Sequence, residues 1–165
     1  MFEKVIPRQT KDCLALLAKN SVINQAYLAG GTACALQLGH RISLDLDFFT
    51  TKEFNPEEVL DTLEKFPGFE LERTAWGTIL GWLPGIRFSL FYYPYPLLYK
   101  TKTYQDIKIA DLRDIAAMKI AAVSDRGNKK DFIDLYFLVQ NKISLEDMLE
   151  YYDKKYAKLG VNVLH

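Results

Sequence analysis

Two aspartates one residue apart, Asp45 and Asp47, are the side chains of this sequence whose types and spacing most clearly indicate chemistry. They belong to a segment, residues 42–49, in which apolar and polar residues alternate, and this pattern predicts a strand with both acids on one face. The opposite face is entirely apolar: Ile42, Leu44, Leu46 and Phe48. Two carboxylates about 7 Å apart repel each other, whereas hard divalent cations favour such oxygen ligands. The pair therefore predicts a site for Mg²⁺ or Mn²⁺.

A glycine pair precedes this segment and is expected to hold phosphate. Residues 26–29 read as a short buried strand that ends in a tight turn at Gly30 and Gly31. Thr32 is predicted to be the N-cap of a helix that ends at Gly39. A helix N-terminus offers free backbone N–H groups and a positive dipole end. One half of the motif is thus predicted to bind a triphosphate, and the other half the metal ions.

The rest of the chain is predicted to form regular elements within one domain. Strands are predicted at residues 69–75, 78–83, 86–93 and 103–109, and helices at residues 55–66, 111–127, 131–140 and 145–156. Because no repeat or linker separates these elements, we expect a single domain over residues 1–165. Its core would span residues 22–110, and C-terminal helices would span residues 111–165.

Composition gives no sign of a membrane protein or of a strongly basic nucleic-acid binder. The 165 residues include 21 Lys and Arg and 21 Asp and Glu, and no signal peptide or spanning segment is recognisable. Cys13 and Cys34 lack metal-ligand spacing and are expected to be buried free thiols. Free thiols are typical of a reducing cytoplasm, where we expect the protein to act. We expect no membrane partner. The aromatic residues between Trp76 and Tyr104 are interpreted as packing on the sheet, with base stacking as the alternative.

One lysine interrupts the apolar face of the helix predicted at residues 111–127. Lys119 follows Ile115 by four residues and Ala116 by three, so it shares their face. Such a lysine either extends its ammonium group to water or directs it at a buried anion such as phosphate, and both readings stay open. Despite the neutral net charge, a local group of cations could attract phosphates: Arg113, Lys119, Arg126, Lys129 and Lys130.

Two blocks of this sequence resemble a known enzyme family. Gly30-Gly31-Thr32, twelve intervening residues and Asp45-Leu46-Asp47 resemble the GG[ST]…D-x-D signature of the DNA polymerase β-like nucleotidyltransferases. The longer string GGTACALQLGHRISLDLDFF is similar to one branch, the AbiEii/AbiGii toxin family. The second block, DLRDIAAMKIAAVSDRGNKKDFIDLYFL, is similar to the same family, in which a helix with K…A…R precedes a basic-D-x-x-D-L segment.

The resemblance implies a fold, a reaction and a set of partners. The fold would be α+β, with a small mixed and mostly antiparallel sheet flanked by helices. The reaction would be transfer of a nucleoside monophosphate from an NTP to an RNA such as tRNA or to a protein. Family members are toxins of bacterial toxin–antitoxin or phage-defence loci, so a cognate antitoxin would be a further partner.

The resemblance also implies roles for individual residues. Asp134 would be the second acid of the last motif, after Asp131. The catalytic residues would be Asp45, Asp47, Lys119 and Asp131, with Asp45 and Asp47 as metal ligands. The nucleotide-binding residues would be Gly30, Gly31, Thr32, Arg41, Ser43, Lys119 and Arg126.

The sequence departs from the superfamily pattern at the third metal-binding carboxylate. The matching strand, residues 86–91, offers Arg87 and Ser89 but no acid, and serine is a poor ligand for Mg²⁺. The resemblance further implies that longer relatives continue past the position of His165 into more helical sequence, which could hold the acceptor. The first reading is a Mg²⁺-dependent nucleotidyltransferase. A degenerate module that binds NTP or a partner without turnover, and an unrelated structural role, are the alternatives.

Overall fold

The computed structural model describes residues 1–157, and within this range the chain forms seven strands and seven α-helices. The strands are β1 Tyr27–Ala29, β2 Leu46–Thr50, β3 Glu70–Ala75, β4 Thr78–Leu83, β5 Ile86–Tyr92, β6 Lys102–Tyr104 and β7 Ile107–Ile109. The helices are α1 Arg8–Leu17, α2 Ser21–Gln25, α3 Gly30–Leu38, α4 Pro56–Leu63, α5 Leu112–Asp125, α6 Lys129–Gln140 and α7 Leu145–Tyr156. The predicted C-terminal helical part extends to His165, and its last residues, 158–165, lie outside the described range.

The seven strands form one mixed sheet in the order β3-β4-β5-β2-β1-β7-β6. Strand β2 runs antiparallel to β1 and parallel to β5, and β1 runs parallel to β7. The other three neighbouring pairs are antiparallel. The predicted α+β class with a mixed, mostly antiparallel sheet is therefore confirmed. The two strands that carry the motif, β1 and β2, lie side by side inside the sheet.

One face of the sheet packs into the hydrophobic core. Leu46 and Phe48 on β2 are fully buried, and so are their neighbours on β5, Phe88 and Leu90. The rings of Phe48 and Phe88 have their centroids 5.9 Å apart. Because successive side chains of a strand point to opposite faces, this packing places Asp47 on the other face of β2. The apolar half of the alternation thus decides where the acid points.

The alternating segment before β2 does not form a strand, so this part of the prediction is wrong. Ile42 is 70% exposed and Leu44 is 44% exposed, whereas Ser43 is buried. The Ser43 N–H donates to the Val5 carbonyl (3.1 Å), and Ser43 Oγ lies 2.9 Å from Thr32 Oγ1. These contacts hold the polar residue inward and turn the two apolar side chains outward.

The start of α3 differs from the prediction, whereas its end agrees with it. The helix begins at Gly30 with Ala29 in the N-cap position, and no side chain caps it, so the assignment of Thr32 as N-cap is wrong. Gly39 ends the helix with a φ of 69°, in the left-handed conformation that glycine adopts without strain. Two other helices have side-chain N-caps, Asn55 at α4 and Asp111 at α5.

Residues 103–109 belong to a hairpin and not to the single strand that was predicted. Strands β6 and β7 are antiparallel and are joined by Gln105 and Asp106, whose φ angles are 48° and 62°. Turns with two residues of positive φ usually contain glycine, asparagine or aspartate. Because this turn has no glycine or asparagine and Asp106 is its only residue of that kind, the sequence carried only a weak signal for it.

Helix α5 is central to the helical part, since it packs against α3, α6 and α7. Its contact with α7 contains a fully buried ion pair, in which Lys155 Nζ lies 2.8 Å from Asp114 Oδ1. Asp114 also accepts hydrogen bonds from the N–H groups of Leu98 (2.9 Å) and Tyr99 (3.0 Å), and Lys155 donates to the Pro96 carbonyl (2.8 Å). The pair therefore joins both helices to the segment that follows β5. Within the described residues, no helix is long and apolar enough to cross a membrane.

Replacement of Lys155 by methionine should destabilise the protein strongly. Asp114 would lose its cation while it remains buried, and breaking a buried pair in this way costs about 3–5 kcal/mol of unfolding free energy. Urea unfolding measures the loss. Lys154→Met is the matched control, because Lys154 pairs with Glu150 at the surface and its removal should change stability little. Equal unfolding free energies for the two variants would contradict the role of the buried pair.

Candidate active site

Gly30 and Gly31 form the first turn of α3, directly after β1. Gly30 has a φ of 66°, a left-handed conformation that favours glycine, and a Cβ atom there would lie 2.8 Å from Asp47 Oδ2. A Cβ atom at Gly31 would overlap the Arg41 guanidinium group. Because neither residue has a side chain, a carboxylate and a guanidinium both lie against the N-terminus of this helix.

Thr32 connects the glycine turn to the acidic segment. It is buried, its hydroxyl donates to the backbone carbonyl of Asp45, and its Oγ1 lies 2.9 Å from Ser43 Oγ. The hydroxyls of Thr32 and Ser43, both predicted to bind nucleotide, therefore contact each other beneath the surface. These contacts hold the start of α3 close to Asp45.

The two acids of the motif lie where β2 begins. Asp45 immediately precedes the strand and is exposed, and Asp47 lies on it, in register with Ala29 of β1 and Ser89 of β5. Burial raises the pKa of Asp47, and the negative charge of Asp45 raises it further. A divalent cation relieves both effects, and the two side chains offer the oxygen ligands that Mg²⁺ or Mn²⁺ prefers. The residues therefore fit such an ion.

Ser89 occupies the position beside Asp47 at which the superfamily pattern implies a third carboxylate. It is 5% exposed, and its neighbour on β4 is Leu80. Arg87, two residues earlier on the same face of β5, lies 3.2 Å from Glu72. Strand β5 thus adjoins the acid strand as predicted and contributes no acid of its own to this face.

The second sequence block folds into a chain of ion pairs. The Lys119 ammonium lies 2.8 Å from Asp131 Oδ1 and 2.6 Å from Asp134 Oδ2, and the lysine side chain is 6% exposed. Arg126 contacts the same Asp131 through Nε (3.0 Å) and Nη2 (3.3 Å), and its side chain is 56% exposed. The reading in which Lys119 extends to water is therefore wrong, because its charge lies between two buried carboxylates.

Asp134 is fully buried and accepts hydrogen bonds from three residues. The donors are His40 Nε2 (2.7 Å), Arg41 through Nε (2.7 Å) and Nη2 (3.0 Å), and Lys119. Burial alone would raise the pKa of Asp134, but the bonds from His40 and Arg41 and the charge of Lys119 hold it far below its usual value. Asp134 thereby fixes the Arg41 guanidinium beside Gly31.

His40 is a member of this cluster that sequence reasoning missed. Its side chain is 1% exposed, and its ring centroid lies 5.0 Å from that of Phe137 on α6. The only local signal was its position between the helix-ending Gly39 and Arg41. Which acid it would meet depends on α6, ninety-four residues further along the chain.

Cys34, His40 and Asp134 bring three potential metal-ligand atoms within 4.8 Å of one another. Burial, followed by the charge of Asp134, raises the pKa of the Cys34 thiol to about 12, so a thiolate ligand is disfavoured. A metal ion would also lie close to Arg41 and Lys119, which already neutralise Asp134. The arrangement is better explained as the support of Arg41 than as a metal site. Cys13 and Cys34 are both buried free thiols, as predicted.

The predicted group of cations does not form a single patch. Arg113 and Arg126 lie at opposite ends of α5, about 20 Å apart at a rise of about 1.5 Å per residue. Arg113 pairs with Asp111 (2.8 Å) and lies over the ring of Tyr99, 3.5 Å from its centroid. Lys119 is buried, whereas Arg126, which directly follows α5, is partly exposed and contacts Asp131.

The family of this chain is decided by its match to a known family of sequences. The family model described as "Nucleotidyl transferase AbiEii toxin, Type IV TA system" matches residues 13–75 and 90–162. The chain belongs to this family. It is therefore a nucleotidyltransferase, acts on a nucleotide substrate and belongs to a family whose reaction generally uses a divalent metal ion. Both blocks lie in the matched ranges, and Ser89 lies in the gap between them.

One relative matches most of the chain in sequence, and solved structures share its fold. An uncharacterized protein of Aquifex aeolicus (strain VF5) is 36% identical over 169 residues, covering 96% of this chain and 80% of that protein. Three solved structures share the fold at low identity. JHP933 from Helicobacter pylori has a TM-score of 0.58 at 19% identity, and the match covers 95% of this chain and 78% of that chain. The antibiotic-resistance factor ANT(2'')-Ia has a TM-score of 0.59 at 13% identity, and the match covers 97% of both chains. The Megavirus polyadenylate synthase has a TM-score of 0.55 at 14% identity, and the match covers 80% of this chain and 32% of that chain.

The raised pKa of Asp47 predicts a pH-dependent effect of Asp47→Asn on stability. A carboxyl group whose folded pKa is raised favours folding while it is protonated, and this contribution is lost as pH rises through the folded pKa. In metal-free buffer the variant should therefore melt at a higher temperature than the wild type at neutral pH. The difference should shrink towards about pH 4, near the ordinary pKa of Asp. Asp61→Asn, on the exposed side of α4, should show no such gain. A lower melting temperature for Asp47→Asn at neutral pH would contradict a raised pKa of Asp47 in the folded protein.

Proposed function

We propose that this chain transfers a nucleoside monophosphate from an NTP to an acceptor in a Mg²⁺- or Mn²⁺-dependent reaction. The observation that carries the proposal is the close approach of Asp47 to Gly30, where a Cβ atom would lie 2.8 Å from Asp47 Oδ2. The carboxylate that we propose as a metal ligand therefore lies against the N-terminus of α3, where phosphate is favoured. Nucleotide and metal are thus expected to share one site.

In this proposal the residues of the turn and those around it have different roles in binding. The backbone N–H groups of Gly30 and Gly31 bind the phosphates, and Arg41, held by Asp134, adds a positive charge beside them. Thr32 and Ser43 act from beneath by holding the turn to the acidic segment. A divalent ion bound by Asp45 and Asp47 would neutralise phosphate oxygens and polarise the bond to the leaving pyrophosphate.

Ser89 supports a second candidate function. Without a third carboxylate beside Asp47, an ion next to the attacking group would be held less firmly. A protein with this defect could bind NTP, or a partner, without turnover. The two functions are distinguished by product formation, since both predict nucleotide binding and only the first predicts a labelled acceptor.

The biological setting is proposed from family membership. We propose that the protein is the bacterial toxin of a toxin–antitoxin or phage-defence locus and acts as a single domain in the cytoplasm. The acceptor would be an RNA such as tRNA or a protein, and a cognate antitoxin would counter the toxin. The roles of Lys119 and Asp131 as catalytic residues stay predictions.

A labelling experiment tests the proposed reaction. The protein is incubated with each of the four α-labelled ribonucleoside triphosphates, Mg²⁺ and total bacterial RNA or protein, and label is followed into each fraction. Label in RNA or protein that depends on Asp45 supports the transferase. NTP binding without label in either fraction supports the binding module.

Loss of both acids should abolish metal-dependent nucleotide binding. In Asp45→Asn/Asp47→Asn the ligands of the divalent ion are replaced by neutral amides, so calorimetry should show little binding of NTP with Mg²⁺. Asp61→Asn/Asp106→Asn makes the same change of charge away from the site and should bind as the wild type does. Equal affinities for all three proteins would rule out a metal site at these acids.

Gly31→Val should also abolish nucleotide binding. Its Cβ would displace the Arg41 guanidinium, and its branched side chain would block the approach of phosphate to the start of α3. Circular dichroism and thermal melting establish that the variant is folded before NTP titration. An affinity within threefold of the wild type would show that phosphate does not bind at this turn.

A further inference from the structure

Two cations of the second block, Lys119 and Arg126, are predicted to bind nucleotide, and the structure gives them different surroundings. Lys119 and Arg126 both contact Asp131, and the charges of both reach Asp47. They differ in exposure, because the Lys119 side chain is 6% exposed and the Arg126 side chain is 56% exposed. Of the two, Arg126 is the one that presents much of its side chain to solvent.

Lys119 cannot leave its position without disrupting buried charge pairs. Its ammonium contacts two carboxylates at once, Asp131 (2% exposed) and Asp134 (0% exposed). Movement towards a nucleotide would leave each of these buried groups with one positive partner fewer. Because unpairing a buried charge is strongly unfavourable, this lysine is held in both the free and the bound protein.

Arg126 is far less constrained. It follows the last residue of α5 and precedes Gly127, whose φ of 58° begins the turn to α6. Its Nε and Nη2 bind Asp131, and within the described residues no hydrogen bond involves its Nη1. When Arg126 moves, Asp131 keeps its contact with Lys119, so the acid does not lose its last cation.

We infer that Arg126, and not Lys119, is the cation of the second block that contacts nucleotide phosphate, and that Asp131 is a positioning residue that holds Arg126 until nucleotide binds. This inference rests on the proposed function, because it assigns the phosphate contacts of the same site. Lys119 then has a structural role, as a fixed link between α5 and α6, in place of the catalytic role predicted from the resemblance. When a nucleotide binds, Arg126 would leave Asp131 and contact a phosphate of the nucleotide instead.

Three variants and one control test this assignment by calorimetric titration with Mg²⁺ and ATP, GTP, CTP or UTP in turn. Arg126→Gln should weaken binding about tenfold to a hundredfold, the effect of one charge-assisted hydrogen bond, with an unchanged melting temperature. Asp131→Asn frees Arg126 and should tighten binding by up to about fivefold, since the pair with Arg126 is partly exposed and Lys119 keeps Asp134 as its buried partner. Asp125→Asn makes the same change of charge at a neighbouring exposed acid and should tighten binding less.

Lys119→Met completes the set. It should lower the melting temperature of the nucleotide-free protein clearly, because two buried carboxylates lose a shared partner. A folded Lys119→Met protein with wild-type melting and binding as weak as that of Arg126→Gln would overturn the inference. If this variant does not fold, the two other variants decide.

The outcomes separate this inference from the proposed function. Absence of binding by the wild type with every nucleotide overturns the proposed function and the inference together. Binding by the wild type overturns the inference alone if Arg126→Gln binds within threefold of it, or if Asp131→Asn binds more weakly than the wild type. A loss in Arg126→Gln combined with a gain in Asp131→Asn supports it.

Discussion

The buried carboxylate of Asp134 is the constraint on which the arrangement of this site depends. A carboxylate without access to water is unfavourable unless cations and hydrogen bonds compensate it. Here the compensation comes from three residues on two other segments, His40 and Arg41 after α3 and Lys119 on α5. The requirement to satisfy one charge therefore fixes the end of α3 relative to α5 and α6. It also places a guanidinium beside Gly31.

The distribution of charge explains why the acids of the motif remain available to a metal ion. Asp131 and Asp134 are neutralised by the cations around them, and the pKa of each is lowered accordingly. Asp47 has no direct ion pair among the described residues, and its pKa is raised by burial and then by Asp45. The protein thus contains one compensated pair of acids and one pair that a cation would compensate. The second pair adjoins the phosphate-binding turn.

Much of the fold and of the site could be predicted because it depends on local physics. Glycine at the start and end of α3, the cap at Asp111 and the alternation of β2 are properties of neighbouring residues. The errors arose where a distant contact prevailed over a local pattern. Ser43 is buried because Val5 and Thr32 bind it, although apolar residues flank it on both sides.

The sequence by itself indicated the reaction family, through the resemblance of its motif, and the position of Asp47, because the alternation of β2 is a local property of the strand. Only the tertiary structure decided what Lys119 does. Helical periodicity sets the direction in which its side chain points, but the two carboxylates it meets lie on another helix. Whether an ammonium faces water, a phosphate or an aspartate depends on how helices pack, and that packing is settled by the whole core.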